Sequence, residues 1–260
     1  MVRIFTKINQ VYKLGFDTKK FLRGLSIDCV IFGFHDNELK VLLLETPNDH
    51  KWSLPGGYIR KEEDLDQAAY RMLRERTQLE NVFLDQFSVF GKTDRKDDTY
   101  FNSLFLQGYV DEPTYQWIST RTVTVGYYAL VDYSKVVTKP DEFALDCQWY
   151  SPQELPTLTF DHKEIIENAL ETLRLKLRFQ PVGINLLPTK FTMPEFQALY
   201  ETILGEKLDR RNFQRKMLSY GILKKLPERR KGGAHKAPYL YTFDIKGYNE
   251  ALKIGLKSGW

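Results

Sequence analysis

The stretch GGYIRKEEDLDQAAYRMLRERTQL, residues 56–79, decides how the rest of the chain is read. It opens on a Pro-Gly-Gly turn and passes into residues 64–79, where Leu65, Ala68, Ala69, Met72, Leu73 and Leu79 recur at the spacing of one helix face. The expectation is a glycine loop running into an amphipathic helix. Upstream, SIDCVIFGF (26–34) and ELKVLLLE (38–45) are apolar, β-branched runs separated by a polar turn with Asp36 and Asn37, which predicts a hairpin. Downstream, VFLDQFSVF (82–90) and RTVTVGYYALV (121–131) predict further strands, while the polar and aromatic stretch 92–120 reads as loop with room for one added strand. The body is therefore expected to be α+β with a mixed sheet.

A chain of 260 residues that is 42% hydrophobic can bury one large core and a smaller second one, so two domains are expected. The segment MVRIFTKINQVYKLGFD mixes charged and polar groups without an apolar run, which argues against a secretory signal or a membrane span and for a cytoplasmic protein. Cys29 and Cys147 stand far apart in apolar, strand-like surroundings and read as reduced core thiols rather than a disulfide or a zinc site. The net charge of +4 is unevenly spread: residues 183–260 carry 15 Lys and Arg against 7 Asp and Glu, whereas residues 1–182 carry 23 against 27. A basic tail on a mildly acidic body is a footprint of nucleic-acid binding, and equally of a solvated basic face.

The tail narrows that choice. In FTMPEFQALYETILG (191–205), Thr192 and Glu195 form a capping box, Pro194 sits in the first turn, Phe196, Leu199, Tyr200 and Ile203 make an apolar stripe, and Gly205 ends the helix. Asp209 can cap a second helix, RRNFQRKMLSYG, with Phe213, Met217 and Leu218 inward and Arg210, Arg211, Gln214, Arg215 and Ser219 outward. Strand-like ILKKL and YLYTFD then flank the basic loop PERRKGGAHKAP. Helix, turn, basic helix and a cationic hairpin give the order of a winged helix-turn-helix. Arg210, Arg211, Asn212, Gln214 and Arg215 would face the major groove, and Lys224, Lys225, Arg229, Arg230, Lys231 and Lys236 of the wing would meet phosphates of double-stranded operator DNA.

Residues 57–79 resemble the Nudix box: Gly57, Glu63, Arg71, Leu73, Glu75 and Leu79 fall in register. Active enzymes of that family are implied to bind Mg²⁺ or Mn²⁺ through three helical glutamates, of which only Glu75 is present here; Met72 and Arg76 take the other two positions, and Gln78 that of the closing glycine. No catalytic residue, metal or cofactor is therefore expected, although Asp97 or Asp98 would be available as replacement acids.

The longer run WYSPQELPTLTFDHKEIIENALETLR, with LLPTKFTMPEFQALYETILGEKLDRRNFQRKMLSYGIL, resembles the Nudix-related transcriptional regulators of the NrtR family. The resemblance implies a Nudix-like α/β/α sandwich over residues 1–182 that binds an effector and dimerises, followed over 183–260 by a winged helix-turn-helix. It also implies a homodimeric repressor, and similarity to the arabinose-responsive AraR branch points to L-arabinose as effector. Residues suited to such a ligand near the old substrate cleft are Asp28, Trp52, Tyr58, Arg60, Glu63 and Glu75. An active hydrolase of ADP-ribose or NADH, or a regulator sensing such nucleotides, is the alternative expectation.

Overall fold

The computed structural model describes residues 17–46, 50–78, 82–96, 98–136, 144–181, 183–230 and 237–256. The N-terminal segment read above for targeting signals lies mostly outside them. Among the described residues, no helix is long and apolar enough to cross a membrane.

The body is built on one mixed sheet. Strand β1 (Phe21–His35) turns through Asp36 and Asn37 into β2 (Glu38–Glu45), with His35 opposite Glu38. Both turn residues have positive φ, 48° and 62°, the two-residue hairpin geometry that Asp and Asn tolerate. Short β3 (Trp52–Ser53) pairs with β2, and β4 (Gly56–Arg60) pairs with β1. Helix α1 (Leu65–Thr77) follows, capped by an Asp64–Gln67 box. After it come β5 (Phe83–Phe90), then α2 (Asp98–Leu106) and α3 (Glu112–Ile118), then β6 (Val123–Val131), which lies parallel to β1 and antiparallel to β5. Strand β7 (Cys147–Tyr150) completes the far edge on β2.

The stretch expected to be loop, 92–120, therefore holds two short helices. A start signal for the second was present in Asp111, whose side chain accepts from the Thr114 N–H, with proline in the first turn. The aromatic residues of the first, Tyr100, Phe101 and Phe105, pack with Tyr115 and Trp117 of the second.

Alternation along β1 sorts the two faces of the sheet. Ile27, Cys29 and Ile31 pack with Met72 and Leu73 of α1, while Val30 and Phe32 pack with α4 (His162–Phe179). Cys29 and Cys147 are buried free thiols. Helix α1 ends on Gln78 at φ 56°, the left-handed position that the Nudix-box glycine would fill. Because a side chain there is strained, Gln78→Gly is expected to raise stability by up to about 1 kcal/mol in denaturant unfolding.

Helix α4 also forms the floor of the C-terminal unit. That unit comprises β8 (Phe191–Thr192), α5 (Met193–Leu204), α6 (Arg210–Ser219), β9 (Leu223–Arg229), β10 (Tyr239–Phe243) and α7 (Ile245–Ile254), with strand order β8-β10-β9. The capping box forms as expected: Thr192 Oγ1 accepts from the Glu195 N–H at 3.3 Å, and Glu195 Oε2 accepts from the Thr192 N–H at 2.6 Å. One hydrophobic cluster runs without a break from Val30 and Tyr128 on the sheet, through Ile166, Leu173 and Leu177 of α4, to Phe196, Phe213 and Phe243. Arg174 Nε donates to Ile203 O at 2.8 Å, and Thr202 Oγ1 donates to Asn37 O at 3.1 Å, tying α5 to both α4 and the first hairpin.

Candidate functional site

A cavity of about 440 Å³, within the range of small-molecule sites, opens between the α4 face of the sheet and the α2–α3 pair. Its polar floor is assembled from three distant parts of the chain. Asp28, buried on β1, accepts from Arg95 Nη2 at 2.8 Å. Arg95 is itself buried and extends its Nε to Asp161, 2.9 Å from Oδ2, and its Nη1 to Thr122 O at 3.3 Å. Asp161 stands at the N-cap of α4, yet its carboxylate makes no capping bond to the helix and holds Arg95 instead. A buried carboxylate and guanidinium without each other would each be costly, so this chain fixes the 91–96 loop to the start of α4.

His162 follows in the first turn of α4. Its Nδ1 accepts from the Leu54 N–H at 3.0 Å, so the ring proton belongs on Nε2, which lies 3.7 Å from Asp28 Oδ1. Burial pushes this imidazole below its ordinary 6.5, with Asp28 opposing and Arg95 adding to the shift. The folded state therefore favours the neutral ring. Its contribution to stability is complete above about pH 6.5, where the unfolded chain is also neutral, and is lost as pH falls through and below that value. Unfolding free energy measured between pH 7.5 and 5.5 should decline in the wild type and decline less in His162→Gln.

Aromatic side chains wall the cavity. Phe160 stacks on His162 at 5.5 Å and meets the edges of Tyr100 and Phe101. It is held at φ 49°, a conformation disfavoured for a bulky residue. Burial pushes the Tyr58 phenol up to about 12, and its ring packs edge-on to Trp117 at 4.5 Å. Gly56 is required here, since a Cβ would stand 2.5 Å from Asp28 Oδ1.

Of the effector residues expected from sequence, the structure brings Asp28, Tyr58, Arg60 and Glu75 to this cavity. Two are placed elsewhere. Trp52 is buried in the main core, edge-on to Tyr150 at 4.8 Å, because β3 turns it under the sheet. Glu63 is taken up by Arg71, whose Nε donates to Oε2 at 2.9 Å, and by the Arg60 N–H; the Arg71 bonds hold its carboxyl below the usual range. Arg95, Phe160 and His162 were missed. An isolated Arg in a polar loop and a His at a helix start carry no local signal.

The surface expected to face DNA is laid out on α6 and the wing. Phe213 and Met217 are fully buried, and Arg210, Arg211, Asn212 and Arg215 are exposed, with Gln214 half-buried. Arg215 Nη2 donates to Asn212 Oδ1 at 2.9 Å. Leu218, expected to point inward, is 44% exposed and shares the face of Arg211, Gln214 and Arg215 at helical spacing. On the wing, Lys225 lies 3.6 Å from the Tyr239 ring centre and Arg229 4.0 Å, with Arg229 Nη2 donating to the Tyr239 hydroxyl. Lys224 pairs with Asp244 at 3.0 Å, and Arg230 is ion-paired with Glu195. Four of the cations expected to meet phosphate thus also brace the wing. Lys231 and Lys236 lie outside the described residues.

Residues 22–169 match the NUDIX domain family, and residues 183–243 match the NrtR DNA-binding winged helix domain. The chain belongs to the Nudix-related regulators of the NrtR family. It is 28% identical over 232 residues, 86% of this chain and 84% of the other, to the ADPR responsive transcriptional repressor NtrR of Acinetobacter baylyi. It is similar to Shewanella oneidensis NrtR, at TM-score 0.70 and 27% identity over 92% of this chain and all of that one. The same protein complexed with a 27mer DNA gives TM-score 0.68 and 26% identity, over 91% of this chain and 99% of that one. The arabinose-responsive branch receives no support from these likenesses.

In this NrtR-family chain the Nudix-box acids Glu63 and Glu75 gather around Arg71. Arg71 binds Glu63 and lies 3.6 Å from Glu75, while Met72 is buried with its Cε against Gly57. Among the described residues no group of three or more His, Cys, Asp or Glu is placed to hold a metal. Asp97 and the side chains of Arg76 and Asp98 lie outside them.

Proposed function

We propose that this chain is an effector-responsive transcriptional repressor: the winged helix holds operator DNA, and the Nudix-domain cavity binds a metabolite of the ADP-ribose class that releases it. The observation that carries this reading is the near full-length similarity to an ADPR-responsive repressor, combined with a cavity that offers what such a ligand needs. Arg60 and Lys96 at the cavity wall suit a diphosphate, and the aromatic side supports a base or ribose. A pentose is the second reading, favoured by the compact Asp28, Arg95 and His162 floor.

Helix α4 is the lever between the two functions. Its first turn holds Arg95 through Asp161, and its last turns touch the winged helix, where Gln180 Nε2 donates to Leu252 O and the Phe179 carbonyl accepts from the Leu256 N–H. An effector displaces DNA only by binding one placement of α4 better than the other, with a coupling of typically about 1–3 kcal/mol. The boundary between effector and DNA-binding units falls near residue 182. A homodimer presenting two winged helices to two half-sites belongs to the same reading, as does a cytoplasmic setting.

The test is fluorescence anisotropy of the full-length chain on an operator selected from random DNA, with ADP-ribose or L-arabinose added. Release by ADP-ribose alone is expected; release by L-arabinose alone would move the assignment to the pentose, and release by neither would sink the effector reading. Sedimentation of the full chain at micromolar concentration should give a dimer.

The donors at the Nudix box do not fit a divalent cation, since only one of the three helical glutamates is present and a buried thioether occupies another of those positions. No Mg²⁺- or Mn²⁺-dependent hydrolysis of ADP-ribose or NADH above background is therefore expected, by phosphate release after phosphatase coupling. Turnover near about 1 s⁻¹ that is lost in Glu75→Gln would overturn this.

A further inference from the structure

Among the described residues, the His162 Nε2–H has no hydrogen-bond acceptor and Asp28 Oδ1 has no donor, although both line the same cavity. They lie 3.7 Å apart, beyond hydrogen-bond reach of each other, and each is locked by its other atom: Nδ1 by the Leu54 N–H, Oδ2 by Arg95. We infer that His162 and Asp28 form a clamp for one hydroxyl group of a sugar ring, which accepts from His162 Nε2–H and donates to Asp28 Oδ1.

The geometry selects this chemistry. An oxygen about 2.8 Å from each atom fits above the gap, and it must be acceptor and donor at once. A hydroxyl is both, as is the water it would replace; an ammonium, a carbonyl or an unprotonated phosphate oxygen is only one. The tautomer cannot adapt, because moving the proton to Nδ1 would set it against the Leu54 N–H. Phe160, stacked on His162, offers an apolar surface for the ring's C–H face beside the clamp. A carboxylate acceptor also makes the bond to Asp28 stronger than one between neutral groups.

The inference rests on the reading that this cavity holds the effector, and a sugar hydroxyl is common to ADP-ribose and a free pentose. Calorimetric titration of the full-length protein with both compounds, and with analogues of each lacking a single hydroxyl, separates the questions. One deletion in the series of the ligand that binds should weaken it about 10- to 100-fold in the wild type. In His162→Phe the parent compound should weaken similarly, and the same deletion should then matter by less than about threefold; His162→Gln, which keeps a donor, should recover part of the discrimination. If every deletion stays within about threefold of its parent in the wild type, or if His162→Phe keeps the full discrimination, the clamp is wrong even though the effector reading stands. Discrimination within the L-arabinose series, with no binding of ADP-ribose, would uphold the clamp and remove ADP-ribose as effector; binding of neither compound removes both.

Discussion

Arg95→Ala is expected to destabilise the chain by about 3–5 kcal/mol, the usual consequence of removing one partner from a buried ion network. The side chain is 6% exposed and bridges two carboxylates, Asp28 at 9% and Asp161 at 16% exposed. Deleting it leaves Asp28 buried with no cation, whereas Asp161 retains the favourable field at the start of α4. In a thermal melt the loss should appear as a drop on the order of 10 °C. Adding Asp28→Asn to Arg95→Met removes the stranded charge and should restore a large part of that loss. The same network joins the cavity to α4, the proposed lever, so a variant that still folds at low temperature should bind operator but fail to release it with effector. Full stability in Arg95→Ala would refute the buried-network argument, and a normal effector response would refute its part in DNA release.

Gln214→Ala and Arg211→Ala should each weaken binding to the selected operator by about 5- to 150-fold and relax the preference at one base position, because a bidentate base contact is worth about 1–3 kcal/mol. Arg211 lies exposed on the side of α6 away from the buried Phe213 and Met217, and Gln214 lies half-buried at the edge of that side, so neither truncation removes a core side chain. Lys225→Ala should act differently. Its ammonium is held over Tyr239 on the wing, the element expected to meet phosphate, so all sequences should weaken together and the salt slope should fall by about one unit. Arg230→Ala is a less clean probe than its place in the basic loop suggested, since it also strips Glu195 of its partner at the start of α5. Relaxed base preference in Lys225→Ala with unchanged preference in Gln214→Ala would reverse the roles of helix and wing.

Much of this architecture was legible in the sequence because the forces that set it are local. The Asp36-Asn37 turn, the Thr192 cap, the Gly205 stop and the Phe213 and Met217 stripe each depend on neighbours within a few residues, and each stands where its spacing placed it. Composition placed the basic helix and wing for the same reason. The cavity was not legible in this way. Asp28 and Arg95 are 67 positions apart, and nothing around Arg95 marks it as buried until β1 and the α4 N-terminus enclose it. Trp52 reads equally as ligand platform or core until β3 folds it beneath the sheet, and Leu218 reads as core until α6 takes its final rotation. Whether an ionisable group meets solvent, a partner or a ligand depends on which distant surfaces close over it, and that was decided by the tertiary structure alone.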